Sequence, residues 1–132
     1  MHLIEQYALT WGVKIDKPSV ELNFFPTPFD KYIIIHPSSG MGVKSYSYFN
    51  DVIDLILPLL RKENINLIQI GADKDRALSH CHHLQGKTSL AQSFYLIKNS
   101  VLLLGNDSFS THVASGFNNK LVSLYSTNFK EC

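Results

Sequence analysis

Four short apolar runs constrain this chain more than any other feature: Tyr32–His36 (Tyr-Ile-Ile-Ile-His), Asn66–Ile70, Val101–Leu104 and Leu121–Tyr125. A strand with one wet face alternates apolar and polar residues, so runs this continuous mark strands covered on both sides, as in a parallel sheet. Helical patterns separate them. Tyr48–Glu63 carries Phe49, Val52, Ile53, Ile56, Leu57 and Leu60 as a buried stripe, and Ser89–Asn99 and Ser110–Phe117 follow. Pro58 lies inside the first of these and is expected to kink it or end it early. Strands alternating with helices imply right-handed crossovers. The expected fold is therefore α/β, a Rossmann-like parallel sheet with helices on both faces.

The remaining segments are connections. His2–Trp11 can form a helix with Leu3, Tyr7, Ala8 and Trp11 on one face, ended by Gly12. Lys17–Asp30 contains three prolines around Val20–Phe25 and reads as a connector with one edge strand. With 132 residues the chain has the length of one domain. A net charge of +1 gives no basic excess to suggest nucleic acid, and the longest apolar runs are too short to span a bilayer. The N-terminus lacks a secretory pattern. Cys81 and Cys132 are too few for a disulfide framework, so free thiols in a reducing cytoplasm are expected.

Parallel topology sends the loops at 37–45, 71–76 and 105–109 to one edge of the sheet, where open α/β folds bind ligands. In the first, Ser38, Ser39, Gly40 and Gly42 offer hydroxyls and unobstructed amides and Lys44 a mobile cation, a set suited to phosphate; a flexible turn with a solvated lysine has the same composition. In the second, Gly71-Ala72-Asp73-Lys74-Asp75 ends the strand with two carboxylates, of the kind that take ribose hydroxyls in nucleotide-binding α/β domains, and Asp73 reads rather as the N-cap of a short helix through Leu78. The third, Gly-Asn-Asp-Ser-Phe-Ser-Thr-His-Val-Ala (105–114), runs from a buried strand into a helix through Asn106, Asp107 and Ser108, all natural N-cap residues. Free amides at such a start attract anions. An ordinary capped helix reads the same way.

Two other chemistries fail on spacing. A P-loop needs glycine immediately before the lysine and another five residues earlier, and those places hold Val43 and Ser38. His80-Cys81-His82-His83 has no second ligand cluster to complete a zinc site and reads as a surface loop before Leu84. Gly-x-Ser-x-Gly is absent, so no nucleophile elbow is present.

The three loops, in this order, resemble the C-terminal domain of the heptosyltransferase-like glycosyltransferases, family 9, of the GT-B fold. The matching segments are Ile-His-Pro-Ser-Ser-Gly (35–40) with Lys44, Ile-Gly-Ala-Asp-Lys-Asp (70–75), Leu-Gln-Gly-Lys-Thr-Ser-Leu (84–90) and Gly-Asn-Asp-Ser-Phe-Ser-Thr-His-Val-Ala-Ser (105–115), covering about residues 32 to 127. The resemblance implies a domain that binds a nucleotide-diphosphate sugar as donor for transfer, with inversion, to an acceptor. It would place Ser38, Ser39 and Lys44 at the diphosphate, Asp75 at the ribose, and Lys87 and Thr88 beside the base. Asp107 would face the sugar, while the amides of Ser108, Phe109 and Ser110 and the side chain of His112 would hold phosphate and sugar. No cofactor is implied, and no metal, since no acidic pair poised for magnesium is evident.

Two features depart from the family pattern. Phe109 stands where the family usually has glycine. Members also carry an N-terminal acceptor-binding domain that supplies the catalytic carboxylate, whereas residues 1–31 resemble the interdomain connector. The division expected is thus 1–31 as helix and connector and 32–132 as donor-binding domain, with no catalytic residue assigned and an acceptor domain or partner chain supplied from elsewhere. Two other readings stand beside this one: a non-catalytic module that binds a nucleotide or a partner through the apolar face of its first helix, and half of a sugar-nucleotide epimerase.

Overall fold

A computed structural model describes residues 3–16, 19–40 and 42–126. It contains α1 (Leu3–Thr10), β1 (Tyr32–His36), a single 3-10 turn (Gly42–Lys44), α2 (Phe49–Lys62), β2 (Asn66–Gln69), β3 (His82–His83), α3 (Leu90–Asn99), β4 (Leu102–Asn106), α4 (Phe109–Gly116) and β5 (Leu121–Leu124). His2, Lys17 and Cys132, which the sequence reading also used, lie outside the described residues, as does the side chain of Leu3.

All five strands pair in parallel, in the order β3-β2-β1-β4-β5. β1 sits at the centre and is buried at every position. Successive side chains of a strand point to opposite faces, and β1 supplies both cores. Tyr32 and Ile34 join Ile68, Leu103, Leu96, Ile97, Val113 and Ala114 under α3 and α4. Ile33 and Ile35 join Leu67, Leu104, Phe49, Ile53 and Leu60 under α2. This is the Rossmann-like α/β sheet that the apolar runs imply.

Three local expectations need correction, and of the two outcomes expected at Pro58 the early end is excluded. Pro58 does not end α2, which continues to Lys62. The proline is exposed, so the carbonyl it leaves unpaired can meet water, and the buried anchors Phe49, Ile53 and Leu60 hold the helix on both sides of it. Val20–Phe25 forms no strand. It lies over α3 instead, with Asn23 N–H on the Ala91 carbonyl at 3.2 Å and Phe24 edge-on to Tyr95. Its apolar residues serve packing, as Phe25 does against the first core.

His82–His83, read as loop, form a fifth strand beside Ile68 and Gln69. Two residues are too few to leave a period-two signal. No helix runs from Asp73 to Leu78. A tight turn takes its place, closed by Asp75 N–H on the Ala72 carbonyl at 3.0 Å. The chain beyond it is held by the buried amide of Gln69, which donates to the Arg76 carbonyl (2.9 Å) and accepts from Leu78 N–H (2.8 Å). A side-chain amide here does the work of a missing strand.

β1 and β4 pair His36 with Gly105 at their carboxyl ends, where there is no room for a side chain. A methyl group on Gly105 would lie 2.7 Å from the His36 carbonyl oxygen, a backbone atom that cannot swing aside. Gly105→Ala is therefore expected to force these strands apart and to destabilise the fold by about 1–3 kcal/mol. Urea unfolding followed by circular dichroism measures the effect.

Candidate functional site

The carboxyl ends of β1, β2 and β4 surround a cleft of about 620 Å³. It is lined by Ser38, Ser39, Gly40 and Lys44 from the first loop and by Gly71, Ala72, Lys74 and Asp75 from the second. Thr88, Leu90 and Ser93 enter from the start of α3, and Asp107, Ser108 and Phe109 from the β4–α4 junction, with His36 also reaching the wall. Its size falls in the range of small-molecule sites.

Each loop is pinned by polar contacts. The first leaves β1 at Pro37, whose carbonyl accepts from Asn106 Nδ2 at 2.6 Å. Asn106 is wholly buried at the end of β4, so it ties the first loop to the third. Lys44 then reaches back to Asp107, Nζ to Oδ2 at 2.6 Å, with both side chains largely withdrawn from water. A charge-assisted bond this short fixes the ammonium over the mouth of the cleft. In the second loop, Asp75 Oδ2 accepts from Ala72 N–H at 2.7 Å and from the Ser38 hydroxyl. Gly71 adopts a φ of +145°, and a side chain there would collide with Asp75. Glycine is required for the carboxylate to fold back over its own turn.

The third loop departs in detail from the reading of a capped helix. β4 runs two residues further than the apolar run Val101–Leu104, through Gly105 and Asn106, and α4 begins at Phe109. Ser108 holds the N-cap position but makes no side-chain cap. Its hydroxyl turns instead to His36 Nδ1 at 2.9 Å, as does that of Ser110, and the two hydroxyls lie 3.0 Å apart. Burial lowers the pKa of His36, outweighing the opposite pull of the Asp75 carboxylate. The ring is thus neutral at pH 7 and braces the first turn of α4 from below.

The structure brings together eight of the expected residues: Ser38, Ser39, Lys44, Asp75, Thr88, Asp107, Ser108 and Phe109 all line the cleft. Three are not on its wall. Lys87 donates from Nζ to the His83 carbonyl at 3.0 Å. Ser110 is buried beneath the surface against His36. His112 is exposed and borders a separate recess of about 200 Å³ with Val20, Val113, Gly116 and Phe117. The cause is helical phase: Ser110, Thr111, Val113 and Ala114 take the buried side of α4, and at 3.6 residues per turn His112 falls opposite them.

Six cleft residues were not among the expected ligand residues: His36, Gly71, Ala72, Lys74, Leu90 and Ser93. His36 had a legible signal, since it ends the central strand immediately before the first loop. Ser93 had none; it is seen only because Thr88 Oγ1 lies 2.8 Å from its hydroxyl. Among the described residues no group of three or more His, Cys, Asp or Glu converges as a metal site. Cys81 is a free thiol whose pKa burial pushes up to about 12. No helix among the described residues is long and apolar enough to cross a membrane.

Comparison with known proteins sets this geometry in context. The model of glycosyltransferase family 9 (heptosyltransferase) matches residues 4–131. In three dimensions the chain is similar to ADP-heptose LPS heptosyltransferase II of Escherichia coli, with a TM-score of 0.65 and 20% identity over 96% of this chain and 38% of that one. It is also similar to TibC, an iron-containing dodecameric glycosyltransferase from enterotoxigenic E. coli H10407, with a TM-score of 0.66 and 16% identity over 89% and 35%. A structure of TibC in complex with ADP-D-beta-D-heptose aligns at a TM-score of 0.64 and 16% identity, over 92% of this chain and 38% of that one. No curated protein matches the sequence. At these identities the structural likeness is one of fold, and the chain spans little more than a third of each of these proteins.

The neutral imidazole gives the site a pH signature. In the unfolded chain histidine titrates near 6.5, and in the folded protein His36 titrates lower. As pH falls below about 6.5 the unfolded state therefore binds the extra proton. The stability contributed by His36 is whole above that pH and is lost as pH falls toward the folded value, with a slope of at most about 1.4 kcal/mol per pH unit. Urea unfolding at pH 7.5 and pH 5.5 is expected to show a smaller difference for His36→Asn than for the unaltered chain.

Proposed function

The chain belongs to glycosyltransferase family 9, and from that premise we propose that the cleft binds the donor of a sugar transfer, a nucleotide-diphosphate sugar. One observation carries the reading: loops from three strands meet around a single cleft whose mouth holds a fixed lysine. Diphosphate needs a cation and several directed donors in a small volume, and Lys44, the Ser39 hydroxyl and the open backbone around Gly40 supply them, with the Ser38 hydroxyl joining only if it turns from Asp75. The first turn of α4, which no side chain caps, adds amides at the end of a helix dipole.

The rest of the donor follows from chemistry. Both bonds to Asp75 end on Oδ2, leaving Oδ1 to accept a ribose hydroxyl. Thr88 offers a hydroxyl to the base, and Lys87, whose Nζ rests on an exposed carbonyl, is free to swing toward it. Asp107 stands between Lys44 and the α4 start, in position to meet the sugar. His112 is left out of the set that touches the nucleotide, because α4 turns it outward.

In such a transfer the acceptor oxygen attacks the anomeric carbon while the bond to the diphosphate breaks, and charge builds on the departing phosphate. A pre-positioned ammonium and helix amides stabilise that charge without reorganising. Ligand phosphate also competes with Asp107 for Lys44, so the pair holds the lysine in place before the donor arrives. Activation of the acceptor calls for a base that this proposal does not place among the residues of the cleft.

Calorimetry with ADP, GDP and UDP tests the reading, and absence of heat with all three at millimolar concentration overturns it. Lys44→Ala is expected to weaken the diphosphate that binds by roughly ten- to a hundredfold. The Asp107 carboxylate then faces the anion without the lysine's charge. Lys44→Ala combined with Asp107→Asn is therefore expected to recover part of the affinity, and an unchanged single variant would place the phosphates elsewhere.

A further inference from the structure

Most residues lining the cleft carry polar side chains, and one stretch does not. Among the described lining residues, Leu90 and Phe109 are the two large apolar side chains. Leu90 opens α3 and Phe109 opens α4, and α3 and α4 pack against each other on the same face of the sheet. Leu90 is 64% exposed and Phe109 38%. The Phe109 ring is braced rather than loose. Its centroid lies 4.9 Å from that of His36, tilted 57°, and 6.1 Å from that of Phe94, tilted 54°. His36 is itself fixed by two serine hydroxyls, so the support beneath the ring is rigid.

A braced aromatic ring with part of its surface in the cleft leaves apolar area in water, and the site gains by covering it. Of the parts of a nucleotide-diphosphate sugar, the base is the one with a flat π face, the surface that stacks best on an aromatic ring. We propose that Phe109 is the platform on which the base lies, with Leu90 flanking it and the Thr88 hydroxyl at the base's edge. The proposal rests on the nucleotide reading of the cleft and adds to it the element that holds the base. Every base has a π face, so stacking on Phe109 supplies affinity for the nucleoside while leaving the choice among bases to edge contacts.

This contrast along the wall gives a test that separates the base from the phosphates. Binding of ADP, GDP, UDP and inorganic pyrophosphate to the full chain is measured by calorimetry. Phe109→Ala is expected to weaken the nucleoside diphosphate about ten- to a hundredfold while pyrophosphate stays within about twofold. Phe109→Tyr, which keeps the ring, is expected to retain nucleotide affinity. Phe109→Leu fills the space against His36 and Phe94 without a π face and is expected to lose most of the nucleotide affinity with its melting temperature held. It also keeps the test decisive if the alanine variant fails to fold. Equal losses for pyrophosphate and nucleotide, or unchanged nucleotide affinity in the leucine variant, overturn the platform. An unaltered chain that binds pyrophosphate but no nucleotide overturns it too while leaving an anion site. One that binds neither overturns the reading of the cleft itself.

Discussion

β1 has no wet face, and that constraint organises the molecule. Five consecutive buried residues oblige the chain to cover both sides of one strand, so α2 takes one side and α3 and α4 the other. Parallel pairing on both flanks then sends the carboxyl ends of β1, β2 and β4 to the same edge. The site is a by-product of this arrangement. Three loops that share an edge must share a space, and polar residues in them meet without any further device to gather them.

The division of labour between apolar and polar residues explains what was legible in the sequence. Strands such as Tyr32–His36 and Val101–Leu104 announce themselves because burial on two faces demands unbroken apolar runs. Lys44 and Asp107 were legible as candidates because topology alone places their loops, whereas Asp75 was singled out only by the family resemblance. Elements held by single polar contacts were not. The strand at His82–His83 is two residues long, and the turn after Gly71 owes its shape to one carboxylate and to the Gln69 amide rather than to helix propensity. His112, singled out in the family resemblance, shows how helical phase decides what a side chain can meet. A residue one turn inside a helix faces the mouth only if the phase is right, and phase is set by which neighbours the core takes.

Polar contacts in the site form a relay of fixed parts. His36 holds Ser108 and Ser110, Asn106 holds the first loop, Asp107 holds Lys44, and Asp75 holds Ser38. Each of these bonds spans loops or elements distant in sequence. Rotamer and loop entropy is thereby lost during folding, so a ligand that enters meets groups already ordered. The arrangement also sets its own sensitivity. A charge placed on His36 would fix Nδ1 as a donor, so that neither serine hydroxyl could donate to it.

The two rims of the sheet differ in what they allow. On one side β3 offers only two residues, and the loop that leads to it is tied to β2 by the Gln69 side chain, which meets the Arg76 carbonyl and the Leu78 N–H. On the other, β5 pairs with β4 and, among the described residues, with no further strand, and Val122 is 47% exposed on it. A bare parallel edge is a template for backbone pairing. Among the described residues β5 is thus the edge with a full strand's length of backbone facing outward, and a proline or lysine in that strand would blunt it against pairing.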